Sequence, residues 1–442
     1  MGDFNFISIQ QTRACPSSSS INRGGGGSGS SSSLASVFYT VFLPRGYPQS
    51  VRPEYLQYQL YDSLQGICSY LRAVLCYRGI FTGAGVGDAA ATPLAAALSW
   101  VLKDGVSICG TLIFAYFYAE SFECNIKEWR LLADVLNNIG LTLDLVTGWV
   151  GPRFFFFLAS LSALAKALCG LVAGATKARI AEHFARNGHL ADVVSKEGTQ
   201  ETAVSLVGLL LGMAVSQFLP LETNSTSALI LFVFLTAVHQ WANWKLVKVL
   251  VLDTLSNQKL YILADELHRT GRNSDGPTSP YAMTAKETLW RSIYLGIFGP
   301  SFGRSLQDVI SASSGKEEWS ALTSGNWVQY CIFGFDRPNG RLIICLPEEK
   351  NEYDDVKKII SHLIGFYVFC IVQDLKAQGT GKAGSSPVSI LDALPQLADT
   401  IPKIENLARG LSSVGWTVSK GSTRLGEGDF RYRFEQTKKK NE

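Results

Sequence analysis

Phe154 to Thr176 reads FFFFLASLSALAKALCGLVAGAT, with Lys166 as its only charge. As a helix this run is about 34 Å long at ~1.5 Å per residue, enough to cross a bilayer core of about 30 Å. The chain then turns polar over KARIAEHFARNGHLADVVSKEGTQET (Lys177 to Thr202), and a second apolar run starts at Ala203. An apolar helix, a basic connector and another apolar helix form one unit, and similar units recur on both sides. That pattern restricts the chain to a helical membrane bundle, because lipid offers no partner to an exposed strand edge.

Six stretches are candidate spans: 80–102, 105–119, 131–151, 154–176, 203–220 and 228–250. The second is short, the first carries Asp88, and the third carries Asp134, Asn137, Asn138 and Asp144. These three are therefore half-helices, re-entrant pieces or core helices as readily as spans, and the count is four or six. With six, Arg72, Arg78, Lys127, Arg130, Lys177, Arg179, Arg186, Lys196, Lys245 and Lys248 share one side, against Lys103 and Arg153 on the other. That asymmetry points to an even count with both ends inside. Asn224-Ser-Thr, an N-glycosylation pattern, then lies outside. Charged residues are 17% and net charge is +3, with no basic stripe interleaved with aromatics, so no nucleic-acid partner is expected.

Before the bundle, residues 1–36 are rich in Ser and Gly and read as a disordered leader, either a transit peptide or a flexible tail. Leu56, Leu60, Leu64, Ile67, Leu71 and Val74 then recur at helical spacing. They predict an amphipathic helix that lies on the membrane surface or against the bundle rather than across it. Residues 37–255 form the membrane domain, and 256–280 a helix and linker. Residues 281–442 form a small soluble α+β domain, with strands at 326–335 and 341–347 joined by Asp336-Arg-Pro-Asn-Gly340 as a hairpin turn. Helices are expected over 354–375 and 392–411, and GWTVSK and FRYRFE as closing strands. The fold class is mainly α.

Chemistry is sparse. Nine cysteines are scattered without CxxC or Cys/His spacing, so no metal or cofactor is expected. Gly83-Ala-Gly85-Val-Gly87 lacks the preceding strand of a nucleotide fingerprint and suits close helix packing. Gly299-Pro-Ser301-Phe-Gly303 matches a hydrolase elbow, but a helical pattern precedes it, and His362, the only later histidine, sits in an apolar helix. No catalytic residue is assigned and no enzyme is expected. Asp88, Asp134, Asp144 and Lys166 must face the bundle interior or pair, as a solute or proton pathway or as structural glue. Asp144 and Lys166 fall on consecutive helices, where a cross-helix pair is geometrically allowed. Lys177, Arg179, Arg186 and Lys196 are candidate anion ligands, or simply the solvated ends of two helices.

FLPRGYPQSV, YLQYQLYDSLQG, GAGVG, WVLKDG, NIKEWRLLADVLNNIG, GATKARIAEHFARNGHLADVVSKEGTQET and ANWKLVKVLVLDTL, in unbroken order from Val37 to Leu255, resemble the root UVB sensitive family. The resemblance implies a membrane-associated plant-type protein, in the plastid or alternatively the endoplasmic reticulum or another endomembrane. It implies roles in UV-B-linked root and early seedling development, auxin distribution and vitamin B6 homeostasis, and another family member as partner. It carries over no catalytic residue. The expected function is a scaffold or adaptor, with a transporter of a small anionic solute such as a B6 vitamer as the alternative.

Overall fold

A computed structural model of the chain describes residues 34–83, 93–119, 122, 125–150, 152–186, 188–218, 226–271, 277–313, 315–348, 355–379, 390–418 and 431–432. Residues 1–33, Asp88, Gly85 and Gly87, Asn224 and residues 380–389 lie outside these. A short helix, α1 (Leu34–Phe42), leads into α2 (Tyr55–Gly83), α3 (Pro93–Tyr118), α4 (Ile126–Val150), α5 (Pro152–Phe184), α6 (Leu190–Phe218) and α7 (Thr226–Val249). Among the described residues, four stretches are long and apolar enough to cross a membrane: Trp100–Tyr118, Phe154–Phe184, Leu190–Phe218 and Thr226–Val249. Their outward residues, among them Leu112, Phe157, Leu210 and Phe234, are exposed apolar side chains suited to lipid.

Several sequence expectations change here. The candidate spans 80–102 and 105–119 are not separate. Residues 80–83 end α2, and 93–118 form one helix. Lys103 and Asp104 sit within that helix as an ion pair of 3.0 Å, with the ammonium 4.1 Å over the Trp100 ring. The polar connector is mostly helix too, because α5 runs on to Phe184 and α6 starts at Leu190.

Helix α2 packs against α4, α6 and α7 and so forms the bundle's centre. Its orientation changes the amphipathic expectation at one end. Leu56 and Leu60 face outward while Leu64 and Leu71 pack against the core, and Gln59, Gln65 and Arg72 are buried. A polar stripe turned inward is what an apolar solvent favours.

Side-chain registers fix the helix directions. Gly66 meets Val204, Gly208 meets Tyr70 and Gly212 meets Val74, so α2 and α6 run parallel. Gln65 meets Asp134 and Arg72 meets Asn138, so α4 runs parallel to both. The chain also enters and leaves the bundle at one end. There Val51 bridges Ala185, Lys196 donates to the Thr40 carbonyl, and Arg52 reaches Asp253 beyond α7.

The C-terminal unit begins earlier than the sequence suggests. Helix α8 (Asn257–Thr270), expected to lead into a linker, packs on α13 (Asp355–Gly379), and Leu260, Ile262 and Leu263 join the C-terminal core. Helices α9 (Pro280–Lys286), α10 (Leu289–Phe298) and α11 (Leu306–Ala312) start at Ser279, Thr288 and Ser305, each hydroxyl accepting from an N–H of the first turn. Helix α12 (Lys316–Ser324) precedes the hairpin of β2 (Ile332–Asp336) and β3 (Arg341–Pro347). The register Asp336↔Arg341 places residues 337–340 in the turn, where Gly340 has φ +64°. Asn326–Gln329 is a 3-10 turn rather than strand, and residues 415–418 form no strand. Strand β1 (Ser301–Phe302) pairs parallel on the other side of β3, and β4 (Arg431–Tyr432) extends β3 at Leu346–Pro347. Helix α13 is buried on every face from Ile359 to Val372 because α8, α14 (Leu394–Gly410) and β3 all pack on it.

Two charged clusters join this unit to the bundle. Arg52 donates to Asp253 Oδ2 at 2.6 Å and to the His183 carbonyl at 2.8 Å, while His183 Nε2 lies 3.0 Å from Glu54. Thr417, after α14, donates its hydroxyl to Asp253 at 2.9 Å. Burial raises the Asp253 carboxyl, but bonds from His183, Arg52 and Thr417 outweigh it and hold the group well below the carboxylate range. Glu54 is likewise lowered, burial being overcome by the His183 bond. In the second cluster, buried Lys259 donates to the carbonyls of Leu252 (2.9 Å) and Thr254 (2.7 Å), and Glu287 pairs with both Lys127 and Lys259. Burial lowers the Lys259 ammonium, partly offset by Glu287.

Candidate functional site

The three parallel helices α2, α4 and α6 do not close fully on one another. Between them lies a cleft of about 490 Å³, floored by His239 of α7. Its walls are polar: Gln59, Asp62, Gln65 and Ser69 from α2, Arg130 and Asn137 from α4, and Glu197, Gln200, Glu201 and Ser205 from α6. Glycines set its far wall. Gly208 and Gly212 lie so near α2 that an added Cβ would stand 2.6 Å from Tyr70 Cβ and 2.7 Å from Val74 Cγ2. This small-xxx-small contact brings the two backbones together beyond the cleft.

The polar groups hold one another in a defined arrangement. Arg130 donates to Asp62 (2.8 Å) and to the Gln65 side-chain amide oxygen Oε1 (3.1 Å), and lies 3.9 Å from Asp134. Gln65 in turn donates to Asp134, closing a ring of one acid, one amide and one guanidinium, with Asp62 joined to it through Arg130. Asn137 donates to Ser69 at 2.9 Å, and Asn138 to Gln240 at 2.8 Å. Two groups facing the cleft keep atoms with no protein partner, the Nδ1 of buried His239 and the amide oxygen of Gln200. The cleft thus presents acids at its rim, amides and hydroxyls along its walls, and spare hydrogen-bonding capacity at its floor.

The sequence candidates fall in three places. Asp134 stands behind the cleft wall, fastened by Gln65 and Arg130. Asp144 and Lys166 form a separate pair of 2.6 Å across α4 and α5, with Ser162 donating to the other carboxylate oxygen. Asp88 lies outside the described residues. The basic candidates do not converge. Lys177 pairs with Glu197 and Glu201, Arg179 with Glu182, and Lys196 binds the Thr40 carbonyl. Arg186 is exposed at the chain-entry end, its backbone N–H donating to the Ser50 carbonyl. Arg72, Arg130, Asn137 and His239 are not among the site residues expected from sequence. The signal for them is the spacing of Gln59, Asp62, Gln65, Ser69 and Arg72, a polar stripe of helical period within one helix.

Ser301 does not sit on an elbow. Helix α10 rather than a strand precedes it, and it lies in β1 against β3. His362 stacks on Phe302 with ring centroids 4.1 Å apart and donates Nδ1–H to the Lys358 carbonyl. Successive strand residues point to opposite faces, so Ser301 faces away from that histidine. Among the described residues no three His, Cys, Asp or Glu side chains gather as metal ligands. Cys68, Cys76, Cys331, Cys345 and Cys370 are buried free thiols.

A family model described as vitamin B6 photo-protection and homoeostasis domain matches residues 28–271. RUS family member 1 of Dictyostelium discoideum is 39% identical over 241 residues, covering 53% of this chain and 46% of that protein. Protein root UVB sensitive 3 of Arabidopsis thaliana is 35% identical over 231 residues, 52% of each. Protein root UVB sensitive 2, chloroplastic, of the same plant is 30% identical over 240 residues, 54% of each. The chain spans about half the length of these curated relatives. No solved structure matches it.

Proposed function

We propose, from the premise that this chain belongs to the root UVB sensitive family, that its helical bundle binds a small polar solute in the cleft between α2, α4 and α6. The family description points to a B6 vitamer as that solute, and the apolar outer faces of the bundle to a membrane setting. The observation that carries the proposal is the cleft itself, a polar, partly unsatisfied space at the centre of a bundle whose outer faces are apolar. A pure scaffold has no need of such a space, since buried polar groups without partners cost stability.

The cleft also alters the solute expected from sequence. Its rim is acidic, and Glu197 and Glu201 neutralise the connector's Lys177. An amphoteric solute fits better than a simple anion, and a B6 vitamer, with its basic ring nitrogen, is of that class. UV-B-linked root and seedling development enters as a downstream consequence, supported by the family's name. Auxin distribution and pairing with another family member are proposed beside it from the resemblance alone. Plastid residence is supported by a relative named chloroplastic.

The test is direct titration of the detergent-purified chain with pyridoxamine and pyridoxine, followed by calorimetry. Binding should saturate at one site and weaken about tenfold in Glu197→Gln, a swap that keeps shape and removes a charge buried in the cleft wall. A protein that binds neither compound yet pairs with another family member is a scaffold.

A further inference from the structure

Arg72 is fully buried at the centre of α2, with no exposed surface. Only its Nη1 has partners, donating to Asn138 Oδ1 and, at 3.4 Å, to Thr236 Oγ1. Nε and Nη2 are both buried without a partner. Those two nitrogens form the side-on edge of the guanidinium, the edge that takes two oxygens of a carboxylate or phosphate in parallel. Among the described residues no carboxylate stands within ion-pair distance of it. Asp134, one turn earlier on α4 than Asn138, is occupied by Gln65 and Arg130.

The position is as specific as the chemistry. Ser69, one turn before Arg72, lines the cleft and is bonded to Asn137, the neighbour of Asn138. Beyond Arg72 the path is sealed by Leu75, Cys76, Leu141, Phe232 and Leu235, which pack as one apolar cluster. Arg72 does not itself line the cleft; it lies one helical turn behind the polar wall that Ser69 and Asn137 form, with the apolar seal on its other side. A buried guanidinium whose bidentate edge has no counter-charge is unfavourable unless an anion arrives to meet it.

We propose that Arg72 is the anion-binding residue of the cleft, its Nε–Nη2 edge receiving a phosphate or carboxylate group of the solute while Asp62, Glu197 and Glu201 face the cationic part. This rests on the solute-binding reading above and narrows the solute class to small amphoteric molecules bearing an acidic group. It also moves the anion site from the basic connector to the bundle's interior.

Calorimetric titration of the full chain in detergent with pyridoxamine, pyridoxamine 5′-phosphate and inorganic phosphate tests it. The phosphate ester should bind at least about tenfold more tightly than the alcohol, equivalent to ~1.4 kcal/mol. Arg72→Gln should erase that difference, and Arg72→Lys should keep part of it. An ester preference that survives in Arg72→Gln, or its absence in the wild-type chain, overturns the assignment. Should Arg72→Gln fail to fold, the wild-type chain decides. Inorganic phosphate must then compete with the ester and not with pyridoxamine, and any other pattern refutes the proposal. If neither pyridine compound binds, the solute reading falls by itself. Arg72 then stands only if inorganic phosphate binds the wild-type chain and not Arg72→Lys.

Discussion

Exchanging Asp144 for Asn removes one charge and almost no volume, which makes the Asp144–Lys166 pair a sensitive probe of how the bundle treats ionic groups. At 2.6 Å, Coulomb attraction at an effective dielectric of about 20 is about 6 kcal/mol, most of it cancelled by desolvation. The two ends are unequally placed. The Asp144 side chain is 6% exposed and that of Lys166 38%. Lys166→Met should therefore cost about 3 kcal/mol, because it strands a buried carboxylate with Ser162 as its remaining partner. Asp144→Asn should cost about 1.5 kcal/mol, since the ammonium can swing outward and the amide oxygen can still accept from Ser162. The double variant should lose about 2 kcal/mol, so the coupling is about 2.5 kcal/mol. Thermal unfolding in one detergent at fixed micelle concentration, followed by tryptophan fluorescence, measures all three corners. A coupling under about 0.5 kcal/mol would mean that the pair is a surface contact and that this face of α5 is wet. Solute affinity should not change in any of the three, because neither residue lines the cleft.

Three further outcomes follow from particular contacts. Gly208→Val places atoms against Tyr70 Cβ and should cost about 1–3 kcal/mol, read as a fall in unfolding temperature, with the α2–α6 spacing and solute binding disturbed together. At the junction, Glu54 and Asp253 are both held below their unfolded values, so the stability they contribute is complete above about pH 5 and drains away as pH falls through their folded values. Unfolding temperature measured from pH 6 to pH 3 should therefore fall less steeply in Asp253→Asn than in the wild-type chain, and equal slopes would remove the junction as the acid-labile point. Gly340→Val should cost about 1–2 kcal/mol, since the turn needs φ +64° there and nothing else crowds the site. Hydrogen exchange in β2 and β3 should report that loss first.

Much of the architecture was legible in residue order. The apolar lengths at 154–176, 203–218 and 228–249 are sufficient for helices whatever surrounds them, since helical hydrogen bonds are local. The Asp336–Gly340 turn follows from residue types that tolerate its backbone angles. Two features were not legible for the opposite reason. The pattern Leu56, Leu60, Leu64 says which residues share a face of α2, but not whether that face meets the core or the solvent. Periodicity carries no sign, and only packing against α4, α6 and α7 turned the polar stripe inward. Likewise Asp144 and Lys166 were separable candidates because consecutive helices must lie close, whereas Arg72 and Asn138 come from helices distant in the chain and meet only once the bundle has closed.

Sequence alone thus determined that this chain is helical, apolar on the outside and followed by a compact α+β unit, because those properties depend on composition and near-neighbour spacing. Tertiary structure alone decided where the charges end, which cations are neutralised and which buried guanidinium keeps a free edge. Electrostatic partnership depends on distance through space, and hydrophobic periodicity along a chain does not encode it.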